Sequence, residues 1–318
     1  MNSAYEVMKG RPWKAVNFDW DFSVSNKGLK RGIAIIQERN SFIRMLEDLK
    51  FQIYPFDQED VKLTRNLSKS EFLDELKEFK RLCCDGSCGC LLVTVSSHGV
   101  ILPQDEQRDR QTNNLETQDK QTDNVVTYED YVLTHPEPDK TEFSPNFEDE
   151  RVSVREIVEI FRDPDLKGIP KIFFIQACRD DSKQITGNSG VDEGVQLFVG
   201  DENSVSGISS VEIPRTPSEN QIVYSPPCID DSVIVFSTPF GYAAGFNTVR
   251  GSHVWSDLSK KFKEFKKDQR CVKLLDLLRE TNWKLSQSEN TIEGVVYKPL
   301  LSICHTLTRH IVFDRTAD

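Results

Sequence analysis

Residues 170–180 read PKIFFIQACRD. The unbroken apolar run Ile172–Ile175 has the length of a strand buried on both faces, as strands of a parallel sheet are. It gives way at once to Gln176-Ala177-Cys178-Arg179-Asp180, which places a thiol just past the strand's carboxyl end. Upstream, residues 90–99 (CLLVTVSSHG) repeat the pattern, with Cys90–Val95 running into Ser96-Ser97-His98-Gly99. Ligands of open α/β sheets bind beyond the carboxyl ends of the strands. His98 and Cys178 are therefore expected on one edge of one sheet.

Gly32–Ile36, Phe51–Tyr54 and Val233–Phe236 read as further buried strands. Helical spacing marks Ser41–Leu49, Val152–Phe161, Trp255–Phe265 and Cys271–Trp283, and Ser68 with Glu71 forms a capping box that opens one more helix. In the Trp255–Phe265 segment, Lys260, Lys261, Lys263, Lys266 and Lys267 form a solvated face. Strands alternating with helices predict an α/β fold, a three-layer sandwich with a mostly parallel central sheet flanked by helices.

The 318 residues carry a formal net charge of −11. Leu102–Glu150 holds fourteen Asp and Glu against Arg108, Arg110, Lys120 and Lys140, or −10, which leaves −1 for the rest of the chain. Nucleic-acid binding needs clustered cations, so it is excluded as a general function. No apolar stretch reaches the ~20 residues of a spanning helix, and Met1–Gly28 lacks an apolar signal core. The expectation is a cytoplasmic protein without membrane association. Residues 103–124 are almost all polar and too poor in apolar surface to order, so about 102–150 reads as an acidic disordered insertion in which Tyr128, Tyr131, Phe143 and Phe147 dock locally. A Ser, Gly and Pro-rich stretch at 181–227 reads as a linker. The domain plan is then 1–28 as a short N-terminal peptide, 29–180 as a larger catalytic region, and 228–318 as a smaller one.

The eight cysteines read as free thiols. Cys83, Cys84, Cys88 and Cys90 cluster, but no second Cys or His pair follows at a ligand spacing, so no metal is expected. His135, His253, His305 and His310 read as structural or solvated.

An imidazole beside a thiol can deprotonate it or stabilise its thiolate. Gly99 gives the backbone room to approach a substrate. Gln176-Ala177-Cys178-Arg179 after one strand, with an upstream Ser97-His98-Gly99, resembles the signature of the caspase family of cysteine peptidases. Lys30-Arg31-Gly32-Ile33, Lys167-Gly168-Ile169-Pro170-Lys171, Ser237-Thr238-Pro239 with Gly241-Tyr242, and Leu307–Phe313 resemble family landmarks in the right order. The resemblance implies Cys178 as nucleophile, His98 as acid/base, the N–H groups of Gly99 and Cys178 as oxyanion hole, and Gln176 on the floor of the substrate pocket. It also implies cleavage of protein substrates after aspartate in apoptosis, from a zymogen cut within its linker, with no cofactor. Asp192 and Asp201 are candidate cut sites. Thr306–Phe313 resembles the strand that pairs two units in a homodimer or caspase heterodimer. The short segment before residue 28 resembles the executioner-like arrangement.

The chain also departs from the family pattern. Family members hold the substrate aspartate with two arginines. The first lies in a loop between the first strand and first helix; here Gln37-Glu38-Arg39-Asn40 runs almost straight into the helix, so that loop and its arginine are missing. Phe246 stands at the second, beside Gly245 where an aromatic is usual, and Asp180 replaces a glycine. Arg39, Arg44 and Arg250 are the available substitutes. A buried carboxylate without a cation costs several kcal/mol. Two readings follow: an active cysteine endopeptidase, or a catalytically impaired caspase-like regulator that binds active caspases or adaptors.

Overall fold

The computed structural model describes residues 4–5, 13–19, 42–49, 51–54, 64–65, 67–86, 88–103, 125–134, 149–179, 196–197, 221–242, 244, 246–247, 251–268, 271–287, 290–292, 295–297 and 299–313. A seven-stranded sheet lies at its centre. Its strands, from edge to edge, are Ser302–His305, Ser232–Phe236, Lys171–Gln176, Cys90–Ser96, Trp13–Asp19 and Phe51–Tyr54, with Thr64–Arg65 against the end of Trp13–Asp19. Ser302–His305 is antiparallel to its neighbour and every other pairing is parallel.

The alternation of side chains along these strands builds two cores. Leu92, Phe174 and Val235 face one side, where Phe42 and Leu46 of helix 42–48, Leu258 of helix His253–Lys267 and Leu277 of helix Leu274–Gln287 cover them. Leu91, Val93, Phe173 and Ile234 face the other, under Leu76 and Phe79 of helix Lys69–Cys83 and Ile157 of helix Val154–Glu159. This is the expected three-layer α/β sandwich. The capping box is present: the Glu71 carboxylate accepts the Ser68 N–H at 2.9 Å. Val152–Phe161 divides into strand Arg151–Ser153 and the helix, because the Ser153 hydroxyl accepts the Glu156 N–H at 3.0 Å and starts the first turn there.

The sheet also holds a strand that the sequence pattern does not announce. Gly32–Ile36 lies outside the described residues, and Trp13–Asp19 pairs with both Phe51–Tyr54 and Cys90–Ser96. Residues 13–19 thus belong to the catalytic sheet and not to a separate N-terminal peptide. Lys14 interrupts the apolar pattern there, which is why the segment does not read as a buried strand. Its side chain is nonetheless buried, with the ammonium donating to Asp85 at 3.0 Å and to the Leu82 carbonyl. Residues 20–41, between this strand and helix 42–48, lie outside the described residues.

Further corrections concern the acidic stretch, the linker and the terminus. Residues 104–124 lie outside the described residues, but Val125–Leu133 is a strand, antiparallel to Gly99–Pro103 and Arg151–Ser153. Residues 125–133 of the expected disordered insertion are thus ordered, with Asp130, Val132 and Leu133 buried. Within the linker, Gln221–Tyr224 pairs parallel with Val125–Tyr128, and Gln196–Leu197 pairs with Val295–Tyr297. At the terminus, the sheet's edge strand is Ser302–His305, whereas His310–Phe313 pairs with Val272–Lys273 and Ala4–Tyr5 in a separate ribbon. Thr306 ends the edge strand by donating its N–H to the Ser232 carbonyl at 2.9 Å.

Candidate active site

The histidine and cysteine strands lie side by side in parallel, with Ser96 opposite Gln176. The ladder continues one step beyond the strands, where the Ser97 N–H reaches the Gln176 carbonyl at 3.0 Å. His98-Gly99 and Ala177-Cys178 consequently leave the sheet together at its carboxyl edge. The His98 carbonyl accepts the Leu133 N–H at 2.9 Å and the Ser97 hydroxyl donates to the Leu133 carbonyl at 2.5 Å, which fixes the turn between the two sheets.

Gly99 shows how tightly the two segments meet. A Cβ there would stand 2.5 Å from the Cys178 carbonyl oxygen, 2.7 Å from the Ala177 Cβ and 3.0 Å from the Tyr131 carbonyl oxygen. Only a residue without a side chain leaves room for the nucleophile segment. His98 and Cys178 are both half-buried, so each is shielded from bulk water yet reachable.

The loop after strand Ser232–Phe236 closes over this edge. Gly241 takes φ +83°, a left-handed turn that glycine adopts at little cost, and its N–H donates to the Arg179 carbonyl at 2.8 Å. The Arg179 N–H donates to the Tyr242 carbonyl at 2.9 Å. Held this way, the loop brings the buried Ala244 N–H to 3.2 Å from the Cys178 sulfur. Gln176, the expected pocket floor, is buried and accepts the Ser252 hydroxyl at 2.7 Å through its Oε1. Ser252 also receives the Trp255 N–H as the cap of helix His253–Lys267.

Arg179 is buried beside the nucleophile at 2% exposure. Its guanidinium grips Asp130 with two bonds of 2.7 and 3.1 Å, donates to the Thr238 carbonyl at 3.3 Å, and lies 3.8 Å from the Phe236 ring centroid. Tyr224 donates its hydroxyl to the same carboxylate at 2.6 Å. Burial and the Asp130 charge push the Tyr224 phenol far above its ordinary range, so the proton stays on the donor.

The four expected site residues, His98, Gly99, Gln176 and Cys178, thus share one sheet edge. Asp180, Arg31, Arg39, Gly245 and Arg250 lie outside the described residues. Arg44 is exposed on helix 42–48. Ser252, Ala244, Asp130 and Tyr224 do not stand out in the sequence. Ser252 alone carries a usable signal, a serine directly before a helical pattern. All eight cysteines are free. Cys83 and Cys88 bond thiol to thiol in the core, where that bond and burial push the Cys83 thiol up.

Comparisons with known proteins give the family and the fold. Residues 34–311 match the caspase domain family. The chain belongs to the caspase family. The match starts within the connection at 20–41 and so leaves out Trp13–Asp19, whose place is given by its ladder partners. A segment of 151 residues is 31% identical to caspase-2 of Gallus gallus, covering 46% of this chain and 32% of that relative, so the match spans about a third of the relative's length. The crystal structure of caspase-1 from Spodoptera frugiperda superposes over 99% of this chain and 97% of its own, with TM-score 0.60 and 18% identity, which shows a shared fold. As a caspase-family chain, it carries its candidate thiol and imidazole on a cysteine-peptidase scaffold.

Proposed function

We propose that this chain is a caspase-type cysteine endopeptidase acting on protein substrates, with proteolysis in apoptosis as its role. The observation that carries the reading is the seating of Gly99 against the Cys178 backbone, which brings the His98 and Cys178 segments together at one sheet edge. The Cys178 sulfur attacks the peptide carbonyl carbon, and a thioester forms as the C–N bond breaks. His98 delivers a proton to the leaving amine and then takes one from the water that hydrolyses the thioester. The N–H groups of Gly99 and Cys178 receive the oxyanion.

Aspartate preference belongs to the same proposal. The first substrate-binding arginine of the family lies between the first strand and first helix. Gln37-Glu38-Arg39-Asn40 stands in that place in the sequence, and Arg39 takes the role. One cation, Gln176 and Ser252 then line the carboxylate site. The edge strand Ser302–His305 is the surface through which two such units pair.

Phe246 in the second arginine position and the Ala244 N–H on the sulfur favour a second reading, a regulator of active caspases that no longer cleaves. A peptide library varied at the residue before the scissile bond separates the two. The chain is expected to turn over Asp peptides, Cys178→Ala to lose all turnover, and Arg39→Ala to lose about tenfold or more on Asp peptides alone. No Cys178-dependent cleavage of any peptide rejects the peptidase and leaves the regulator.

A further inference from the structure

We propose that Asp130 is a positioning residue for the nucleophile: its buried carboxylate holds Arg179, and through Arg179 the Cys178 segment and the loop covering it, while Tyr224 ties the end of the linker to the same carboxylate. The role in catalysis rests on the peptidase reading, but the tethering of the loop does not.

Each link is a bond on the page. Asp130 sits on strand Val125–Leu133 and is 4% exposed. Its two oxygens take both Arg179 donors, and one also takes the Tyr224 hydroxyl. Arg179 follows the nucleophile directly, and its own N–H and carbonyl clasp Tyr242 and Gly241. That clasp carries Ala244 to the Cys178 sulfur. A path of direct bonds thus runs from the linker end to the reacting atom.

The alternatives for Arg179 are poor. Its other neighbours are the Thr238 carbonyl and the rings of Phe236, Tyr224 and Phe240, at 3.8, 5.1 and 5.7 Å to the centroids. These accept a cation weakly and neutralise no charge. A buried guanidinium whose counter-charge is removed relieves its desolvation by swinging outward. Because it is the residue next to Cys178, that movement takes the nucleophile segment and the 241–244 loop with it.

The linker end is fastened independently of Arg179. Gln221–Tyr224 runs parallel to Val125–Tyr128, Tyr224 packs on Phe240 with ring centroids 4.7 Å apart, and Arg155 donates to the Ser225 carbonyl at 3.0 Å. Residues 221–224 therefore work as part of the catalytic unit. Asp192 and Asp201 both precede Gln221, so a cut at either leaves Tyr224 attached to the smaller part.

The test uses the full chain with Asp130→Asn, Tyr224→Phe and the apolar pair Asp130→Leu/Arg179→Met. Amide hydrogen exchange is read at Arg179 and Gly241 and along strand Lys171–Gln176, together with kcat and KM on an accepted peptide. In Asp130→Asn, exchange at the two loop amides should accelerate about tenfold or more while the strand keeps its protection, and kcat should fall by a similar factor with KM changed by less than about threefold. Tyr224→Phe keeps the ring and loses one neutral-donor bond, so the same changes should reach only about threefold. The apolar pair should recover the wild-type melting temperature but neither the loop protection nor kcat. Unchanged exchange at Arg179 and Gly241, or faster exchange everywhere including the strand, overturns the proposal. So does recovery of loop protection and kcat by the apolar pair. If the wild-type chain cleaves nothing, the peptidase reading fails and the exchange pattern alone decides the tether.

Discussion

Gly99→Ala is expected to lower kcat/KM at least about a hundredfold while leaving a folded protein. The added methyl meets the Cys178 carbonyl oxygen at 2.5 Å and the Ala177 Cβ at 2.7 Å, and neither is the free end of a flexible side chain. Something must move, and each segment has an anchored flank. Leu133 and Ser97 hold the histidine side through the His98 carbonyl and the Gln176 carbonyl. On the cysteine side, Arg179 is held by Asp130, Tyr242 and Gly241. Overpacking of this kind typically costs about 1–3 kcal/mol of stability. The larger effect is on chemistry, because a shift of about 1 Å between reacting groups can cost about a hundredfold in rate. Steady-state kinetics alongside thermal unfolding separates the two. A Gly99→Ala chain with activity within about threefold of wild type would show that the two segments do not need this contact.

How far the sequence reveals this site depends on whether the relevant forces are local. The apolar runs before His98 and Cys178 are legible because both strands are buried on two faces, and the polar residue inside the first, Thr94, is small and gives its hydroxyl to the Val16 carbonyl. Trp13–Asp19 lies in the same sheet but reads only as part of a short N-terminal peptide, since Lys14 is paired by Asp85 and Leu82, residues far away in sequence. Asp130 is illegible for a related reason. It lies in the most acidic stretch of the chain, where one more carboxylate carries no signal, and its partners Arg179 and Tyr224 are 49 and 94 residues away. The terminal strands mislead differently. Ser302–His305 and His310–Phe313 have similar composition, and only the bonds of Thr306 and Thr308 to residues 229–232 decide which one joins the sheet.

Phe246→Arg is expected to raise the preference for aspartate over asparagine before the scissile bond by about tenfold to a hundredfold. Phe246 lies opposite Ser252 in a short antiparallel ladder, and the Ser252 hydroxyl bonds Gln176 on the pocket floor. The backbone at 246 is therefore set beside the pocket whichever residue occupies it, and the resemblance to the family places an arginine there. With phenylalanine, the proposed site offers a substrate carboxylate Arg39 and the neutral amide N–H of Gln176, whose Oε1 takes the Ser252 hydroxyl. A second guanidinium adds a charge-assisted bond of about 1.5–3 kcal/mol to a carboxylate and much less to an amide. Since about 1.4 kcal/mol is a factor of ten, the Asp to Asn ratio should move by that range. Peptides differing only in Asp or Asn at that one position give the ratio directly, free of changes in expression or in active fraction. The gain should shrink in Arg39→Ala, because the remaining cation then holds the carboxylate alone. A ratio unmoved by Phe246→Arg would place residue 246 outside the pocket. Specificity would then rest on Arg39 and the Gln176–Ser252 pair, and the natural Phe246 would not explain any loss of aspartate cleavage.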